Sequence, residues 1–327
     1  MIQVSDKAKC CGCTACASSC PKNCITMQYD EEGFLYPVVD KDLCVNCGIC
    51  DQVCPFGHLN DRVATNSSTY MAFQNSNQNV RMDSTAGGAF SLIAEYIINN
   101  GGIVYAVGYN AEMTVCHEKC DSIRGLNKLR GSKYVQSDLR NIFVDIKSNI
   151  EERLVLFVGT PCQVHGLKAF IGDNKNLYTI DLLCLGVSSP RLFAEWIDYL
   201  NDKYHSQVRH VSFRDKHYGY ATPNVRVFFE NGKSMDQKYD TRVHANLFFR
   251  HYNVRPSCYE CQFREVPRVS DFTIGDFNEI GSINKKMDDD KGTTKVWIHT
   301  GHGKELFRAL VASAVYYILD ESSSNII

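Results

Sequence analysis

Apolar positions along the chain change period from residue 84 onward. Phe90, Ile93 and Ile97 recur at helical spacing, and Gly101-Gly102 closes that helix before an apolar run at 103–107 that predicts a strand. Leu139, Ile142, Phe143, Ile146 and Ile150 share one face of the next helix. Residues 154–158 form the next apolar strand, followed by a helix with Val164, Leu167 and Ile171 inward. A strand at 177–183 runs into Cys184-Leu-Gly, and Ser189 with Pro190 at the first helical position opens a helix carrying Leu192, Phe193, Trp196 and Leu200. Such alternation predicts an α/β layer with parallel strands. Residues 208–213 and 225–229 read as antiparallel strands, the second turning at Asn231-Gly232, so the sheet is expected to be mixed and only partly parallel. A helix is expected at 304–319.

The first sixty residues follow another pattern. Two short strands, at 25–29 and 34–39, flank a turn at 30–33, and little else is apolar. A polar stretch, residues 59–68, reads as a linker. A lead-in strand at 70–74 and a second polar stretch at 75–79 follow. The predicted organisation is an N-terminal module over 1–60, a linker and lead-in strand over 61–83, and a larger domain over 84–327. A chain of 327 residues fits about two domains at roughly 150 residues each.

Cysteine changes the picture. Ten of the sixteen cysteines precede residue 55. Cys10, Cys13, Cys16 and Cys20-Pro21 form one C-x2-C-x2-C-x3-C-P run, and Cys44, Cys47, Cys50 and Cys54-Pro55 form another. This run is the signature of bacterial two-cluster 4Fe–4S ferredoxins, in which the fourth cysteine serves the other cluster. A tight loop aims three thiolates at one cube, its backbone N–H groups face the sulfurs, and proline stiffens the turn after the fourth. Cys10, Cys13, Cys16 and Cys54 are therefore assigned to one cluster, and Cys44, Cys47, Cys50 and Cys20 to the other. Zinc knuckles usually lack the third cysteine and the trailing proline. Cys11 and Cys24 fall outside the spacing and read as packed small residues. So small a segment buries little apolar surface, so metal bonds must supply much of its stability.

Cys258-Tyr-Glu-Cys261 is a C-x2-C pair, and Cys162 and Cys184 each follow an apolar strand directly. Neighbouring parallel strands end on one edge of a sheet, where ligands collect. The four thiolates are thus candidates for a third 4Fe–4S cluster, with two structural cysteines plus a zinc-binding or idle pair as the alternative. Cys116 and Cys120 read as core or surface thiols, with a spare metal site as the alternative.

Several stretches in one order resemble the family of beta subunits of coenzyme F420 hydrogenases and dehydrogenases. They are Ser84-Thr-Ala-Gly-Gly-Ala-Phe90, Gly131-Ser-Lys-Tyr-Val-Gln136, Gly159-Thr-Pro-Cys-Gln163 and Asp181-Leu-Leu-Cys-Leu-Gly-Val-Ser-Ser-Pro190. Phe213-Arg-Asp-Lys-His-Tyr-Gly219, Pro256-Ser-Cys-Tyr-Glu-Cys-Gln-Phe263 and Ser270-Asp-Phe-Thr-Ile-Gly-Asp-Phe277 continue the series. The resemblance implies a non-covalent FAD beside a 4Fe–4S cluster on Cys162, Cys184, Cys258 and Cys261, and hydride exchange between flavin and a deazaflavin. It matches Gly87, Gly88, Ser132, Lys133, Tyr134 and Thr160 to flavin-side loops. Lys133 is a candidate for pyrophosphate charge and Lys216 for an acidic substrate tail. The chain ends sooner than many members do after the expected 304–319 helix.

The fold class expected is therefore an α+β ferredoxin-like two-cluster module followed by a larger α/β domain with a mixed, partly parallel sheet. The expected function is an iron–sulfur flavoprotein oxidoreductase, with a non-catalytic electron-transfer adaptor, or a related flavoenzyme for another substrate, as the alternatives. Its partners would be a redox protein or ferredoxin and a deazaflavin or other small molecule. A net charge of −2 offers nucleic acid no basic face, and no signal-like start or run of about 18 apolar residues points away from the cytoplasm. The segment to Asn60 carries four lysines against seven carboxylates, a local balance of −3 that suits a basic partner. No dinucleotide fingerprint or P-loop is present.

Overall fold

The computed structural model describes residues 1–59, 68–265 and 268–319. Most of the linker expected at 59–68 lies outside them. In the N-terminal segment, β1 (Ile25–Tyr29) and β2 (Leu35–Val39) pair antiparallel. The turn between them is held by Asp30, whose carboxylate accepts from the backbone of Glu32 and Phe34.

The larger region is built on one eight-stranded sheet. Its strands are β3 (Thr69–Asn75), β4 (Ile103–Tyr109), β5 (Val115–Cys120), β6 (Val155–Gly159) and β7 (Leu177–Leu182). Three more, β11 (Phe272–Asp276), β12 (Thr294–Ile298) and β13 (Ala314–Ile318), follow a separate antiparallel sheet of β8 (Val208–Asp215), β9 (Asn224–Phe229) and β10 (Ser234–Met235). The large sheet runs β13-β3-β12-β11-β7-β6-β4-β5. Its centre, β11, β7, β6 and β4, is parallel, and both flanks are antiparallel. The sheet is mixed and partly parallel as expected, but its antiparallel pairings come from β3, β5, β12 and β13, while the strands expected at 208–213 and 225–229 form the separate sheet.

Strand alternation divides the core between two faces. Val104, Ala106, Leu156, Val158 and Ile180 pack against the helix Ala89–Asn99 and the C-terminal helix Gly301–Leu310. Ile103, Tyr105, Val155, Phe157 and Leu177 face the helices Ile142–Asn149 and Pro161–Ile171. Burial on both faces explains why these strands read as continuous apolar runs.

Three expectations change. The lead-in strand at 70–74 is β3, an interior strand between β12 and β13. The helix expected at 304–319 ends at Leu310, and Ala314–Ile318 becomes edge strand β13. Val315, Tyr316, Tyr317 and Ile318 are β-formers, and pairing with β3 outweighs continued helix there. The polar stretch at 75–79 caps a short helix, Gln78–Met82, with the Asn77 side chain accepting from Asn79 and Val80. Cys116 and Cys120 lie buried in β5, as core residues.

The N-terminal segment is sunk into the larger region. Cys11 and Cys13 belong to the same apolar cluster as Phe143, Phe157, Val164 and Leu167. Phe56 meets Phe263 edge-on at 5.0 Å, and a Cβ on Gly166 would lie 2.7 Å from the Cys13 sulfur.

Candidate metal centres and cofactor pocket

The two cysteine runs fold into matching loops. In the first, Gly12 and Thr14, on either side of Cys13, have φ of 68° and 63°. In the second, Asn46 and Gly48, on either side of Cys47, have φ of 52° and 77°. Alternating left-handed residues turn successive N–H groups inward into an anion-binding concavity. Thr14 and Asn46 accept a conformation that costs most non-glycine residues energy, so the loop shape serves what it encloses.

The loops enclose two small cavities. One is lined by Cys10, Cys11, Cys13, Cys16 and Cys54, the other by Cys20, Cys24, Cys44, Cys47 and Cys50, so each holds one proposed ligand set together with one cysteine outside the spacing. Among the described residues no three Cys, His, Asp or Glu side chains converge closely enough for a single ion. Four thiols standing around a cavity suit a cube rather than zinc. Donors are also in place. Ile2 N–H reaches Cys50 Sγ at 3.2 Å. Burial opposes the Cys20 thiolate, yet N–H groups of Cys24, Lys22 and Asn23 hold its pKa below the ordinary value. Burial pushes Cys16 up to about 12, so its thiolate needs a positive partner. Cys47 is exposed to solvent, whereas Cys13 is buried against the helix Pro161–Ile171. The pair of sites thus has an outer and an inner member.

Cys162, Cys184, Cys258 and Cys261 also gather, although they come from three parts of the chain. Cys162 opens the helix after β6, Cys184 follows β7, and Cys258 and Cys261 lie on and just past the short helix Pro256–Tyr259. Burial raises the thiol of Cys184, and the neighbouring sulfurs of Cys258, Cys162 and Cys261 raise it further. Cys258 is lifted to about 12 by burial and then by Cys162. Backbone N–H groups of Phe263 and Arg264 face Cys261. The two sites adjoin through Cys11, which packs with Cys13 and Cys162 in one buried cluster. The neighbouring Cys13 sulfur raises the pKa of Cys11, and the Cys11 sulfur raises that of Cys162.

A pocket of about 510 Å³ opens at the C-terminal edge of β4, β6, β7 and β11, with Cys184 in its wall. Two helices point their N-termini at it, Ala89–Asn99 from Gly88 and Pro161–Ile171 from Thr160, where N–H groups and helix dipoles favour an anion. Gly88, Ser132, Lys133, Tyr134 and Thr160 line the cavity. Gly87 lies behind it, where its N–H donates to Thr294 Oγ1 at 2.8 Å and a side chain would strike the Phe73 carbonyl.

Both candidate lysines direct their ammonium groups at backbone carbonyls. The Lys133 stem lines the pocket, but its ammonium donates to the carbonyls of Val107, Leu129 and Arg130 at 2.9, 3.2 and 2.9 Å. Burial lowers its pKa to about 7. Lys216 is buried and outside the pocket wall, donating to the carbonyls of Arg81, Ala86 and Lys291 at 2.9, 2.7 and 2.7 Å. Three carbonyls occupy three ammonium hydrogens in each case. Both lysines brace loops, including the Gly87-Gly88 turn. The cations in the wall that sequence reasoning passed over are Arg214, paired with Asp276 at 2.9 Å, and Arg130, paired with Glu95 at 3.2 Å. The only signal for Arg214 was its place inside the Phe213–Gly219 motif.

No helix among the described residues is long and apolar enough to cross a membrane. Residues 152–323 match the family model described as coenzyme F420 hydrogenase/dehydrogenase, C terminus of the beta subunit, and residues 9–58 match a 4Fe-4S dicluster domain. One subunit of the F(420)H(2) dehydrogenase of Methanosarcina mazei is 25% identical over 320 residues, spanning 91% of this chain and 81% of that protein. Pyruvate synthase subunit PorD of Methanothermobacter marburgensis is 38% identical over 50 residues, 15% of this chain and 52% of its own. A chain of the F420-reducing NiFe hydrogenase complex from Methanosarcina barkeri shares the fold, with a TM-score of 0.53 and 19% identity over 76% of this chain and 81% of that one. With its matched C-terminal half and its dicluster head, the chain belongs to the family of coenzyme F420 hydrogenase/dehydrogenase beta subunits and is an iron–sulfur electron-transfer protein.

Proposed function

We propose that this chain is an iron–sulfur flavoprotein that joins one-electron transfer at its dicluster head to hydride exchange between FAD and a deazaflavin or similar organic molecule. The observation that carries the reading is continuity. Cys47 reaches solvent, Cys13 meets Cys11, Cys11 meets Cys162, and Cys184 stands in the pocket wall. Each cysteine set abuts the next, and the last abuts a cavity of cofactor size. In this reading Cys10, Cys13, Cys16 and Cys54 hold the inner cluster, Cys20, Cys44, Cys47 and Cys50 the outer one, and Cys162, Cys184, Cys258 and Cys261 a third.

Clusters supply single-electron chemistry, and a flavin supplies the conversion between one and two electrons. The chain's residues do the rest. The two helix N-termini at Gly88 and Thr160 seat the flavin's diphosphate. Tyr134, stacked on Phe248 at 4.8 Å, and the apolar wall of Val107, Val158 and Ile274 keep water from one side of the cavity. Arg214, balanced by Asp276, is a polar group in the wall that can orient a ligand.

Anaerobic reconstitution followed by flavin extraction and iron counting tests this. One FAD and about twelve irons per chain are expected. No flavin with eight irons would instead favour a plain electron-transfer adaptor with an idle pocket.

A further inference from the structure

Arg255 is a buried arginine that the fold leaves without an acid among the described residues. Its side chain is wholly enclosed, as is that of Arg81, while Arg268 is nearly so. Arg81 pairs with Asp289 at 2.5 Å and Arg268 with Asp181 at 3.3 Å. Among the described residues no carboxylate lies within ion-pair distance of Arg255. Its guanidinium donates to the Cys10 carbonyl at 2.8 Å, the Leu35 carbonyl at 3.0 Å and Gln136 Oε1 at 2.9 Å. It also points at Cys10 Sγ, 3.7 Å away, and lies over the Tyr36 ring at 4.1 Å. Neutral oxygens satisfy its hydrogens and leave its charge standing. A guanidinium cannot shed a proton to escape that cost, so burial without a counter-charge is expensive.

The negative charge belongs on the cysteine sulfur. We propose that Arg255 is a positioning residue whose charge is matched by the iron–sulfur cluster on Cys10, Cys13, Cys16 and Cys54, and that it raises that cluster's reduction potential above the outer cluster's. The proposal rests on the ligand assignment above. A thiolate-bound cube is net negative in both redox states and gains one more charge on reduction. A fixed cation with an N–H aimed at a ligand sulfur therefore favours the reduced form. Arg255 also stands three residues before Cys258 and accepts at its carbonyl from the Cys258 N–H at 2.8 Å. The same residue thus shapes the junction that Cys11 spans between Cys13 and Cys162. Gln136 locks it by accepting from the guanidinium while donating to the Cys11 carbonyl at 3.1 Å.

An EPR-monitored redox titration of reconstituted full-length protein tests this, with Cys16→Ser marking the inner step and Cys47→Ser the outer. In Arg255→Gln at full iron content the inner step should move negative by about tenfold in its one-electron partition, or 59 mV, with the outer step moving less than twofold. Arg255→Lys should recover at least half of the shift. An inner shift under threefold, or equal movement of both steps, overturns the proposal. If the Gln variant takes up less iron, the Lys variant decides: an inner step within fivefold of wild type supports the charge assignment and a larger move overturns it. A wild-type protein with eight irons and two steps would remove the third cluster from the proposed function while leaving the inner-step test readable.

Discussion

The dicluster head and the eight-stranded region both bury cysteines, but for opposite reasons. In the head, the chain bends into left-handed conformations at Gly12, Thr14, Asn46 and Gly48 so that thiols and N–H groups surround a cavity. In the sheet, Cys116 and Cys120 are strand residues packed like any small apolar group. The head takes its shape from what it is built to hold, and the sheet takes its shape from apolar burial. Cys162 and Cys184 sit where the two logics meet, on loops launched by the sheet but aimed at the head and the pocket.

Removing iron should separate the regions most sharply. Chelated protein should lose amide protection throughout 1–59 while β4, β6 and β7 keep theirs by hydrogen-exchange mass spectrometry. Equal loss in both regions would mean that the head and sheet stand or fall together. The converse perturbation is Leu156→Ala, in the core cluster that holds none of the candidate cluster cysteines. It should cost about 2–5 kcal/mol in denaturant unfolding of the sheet, with the iron content of the native protein unchanged.

Acid offers a third separation. His117, His244 and His299 are buried in the larger region, and burial lowers each from 6.5 to about 4. Their folded-state pKa values lie below the unfolded one, so the unfolded chain takes up protons first. The stability they protect is complete above about pH 6.5 and drains away as pH falls toward 4. At pH 5 the loss is roughly 1–2 kcal/mol per histidine, measured as a lowered denaturation midpoint of the sheet. A midpoint equal at pH 7 and pH 5 would break this assignment. The smallest effect is expected at Thr14→Gly. It relieves a left-handed threonine whose buried hydroxyl has no partner among the described residues, and should stabilise the head by about 1 kcal/mol.

How much was legible follows the range of the interaction. The cluster loops could be read because ligand spacing is local: three cysteines within seven residues can reach one cube whatever the rest of the chain does. The central strands could be read because burial on both faces leaves unbroken apolar runs. β13 could not, since Ala314–Ile318 becomes strand only by meeting β3, some 240 residues earlier in the chain. The surroundings of Lys133 and Lys216 were not legible because a sequence does not show which carbonyls surround an ammonium. Arg255 looked ordinary for the converse reason, as nothing near it in sequence reveals that its neighbours are Cys10 and Leu35.

The sequence by itself determined the two cluster motifs and the parallel core, both properties of short windows with a fixed period or spacing. Only the tertiary structure decided that the head is sunk into the sheet, that Cys11 joins Cys13 to Cys162, and that a buried arginine stands at that junction. Those contacts join residues more than a hundred positions apart, and what brings them together is the packing of whole elements.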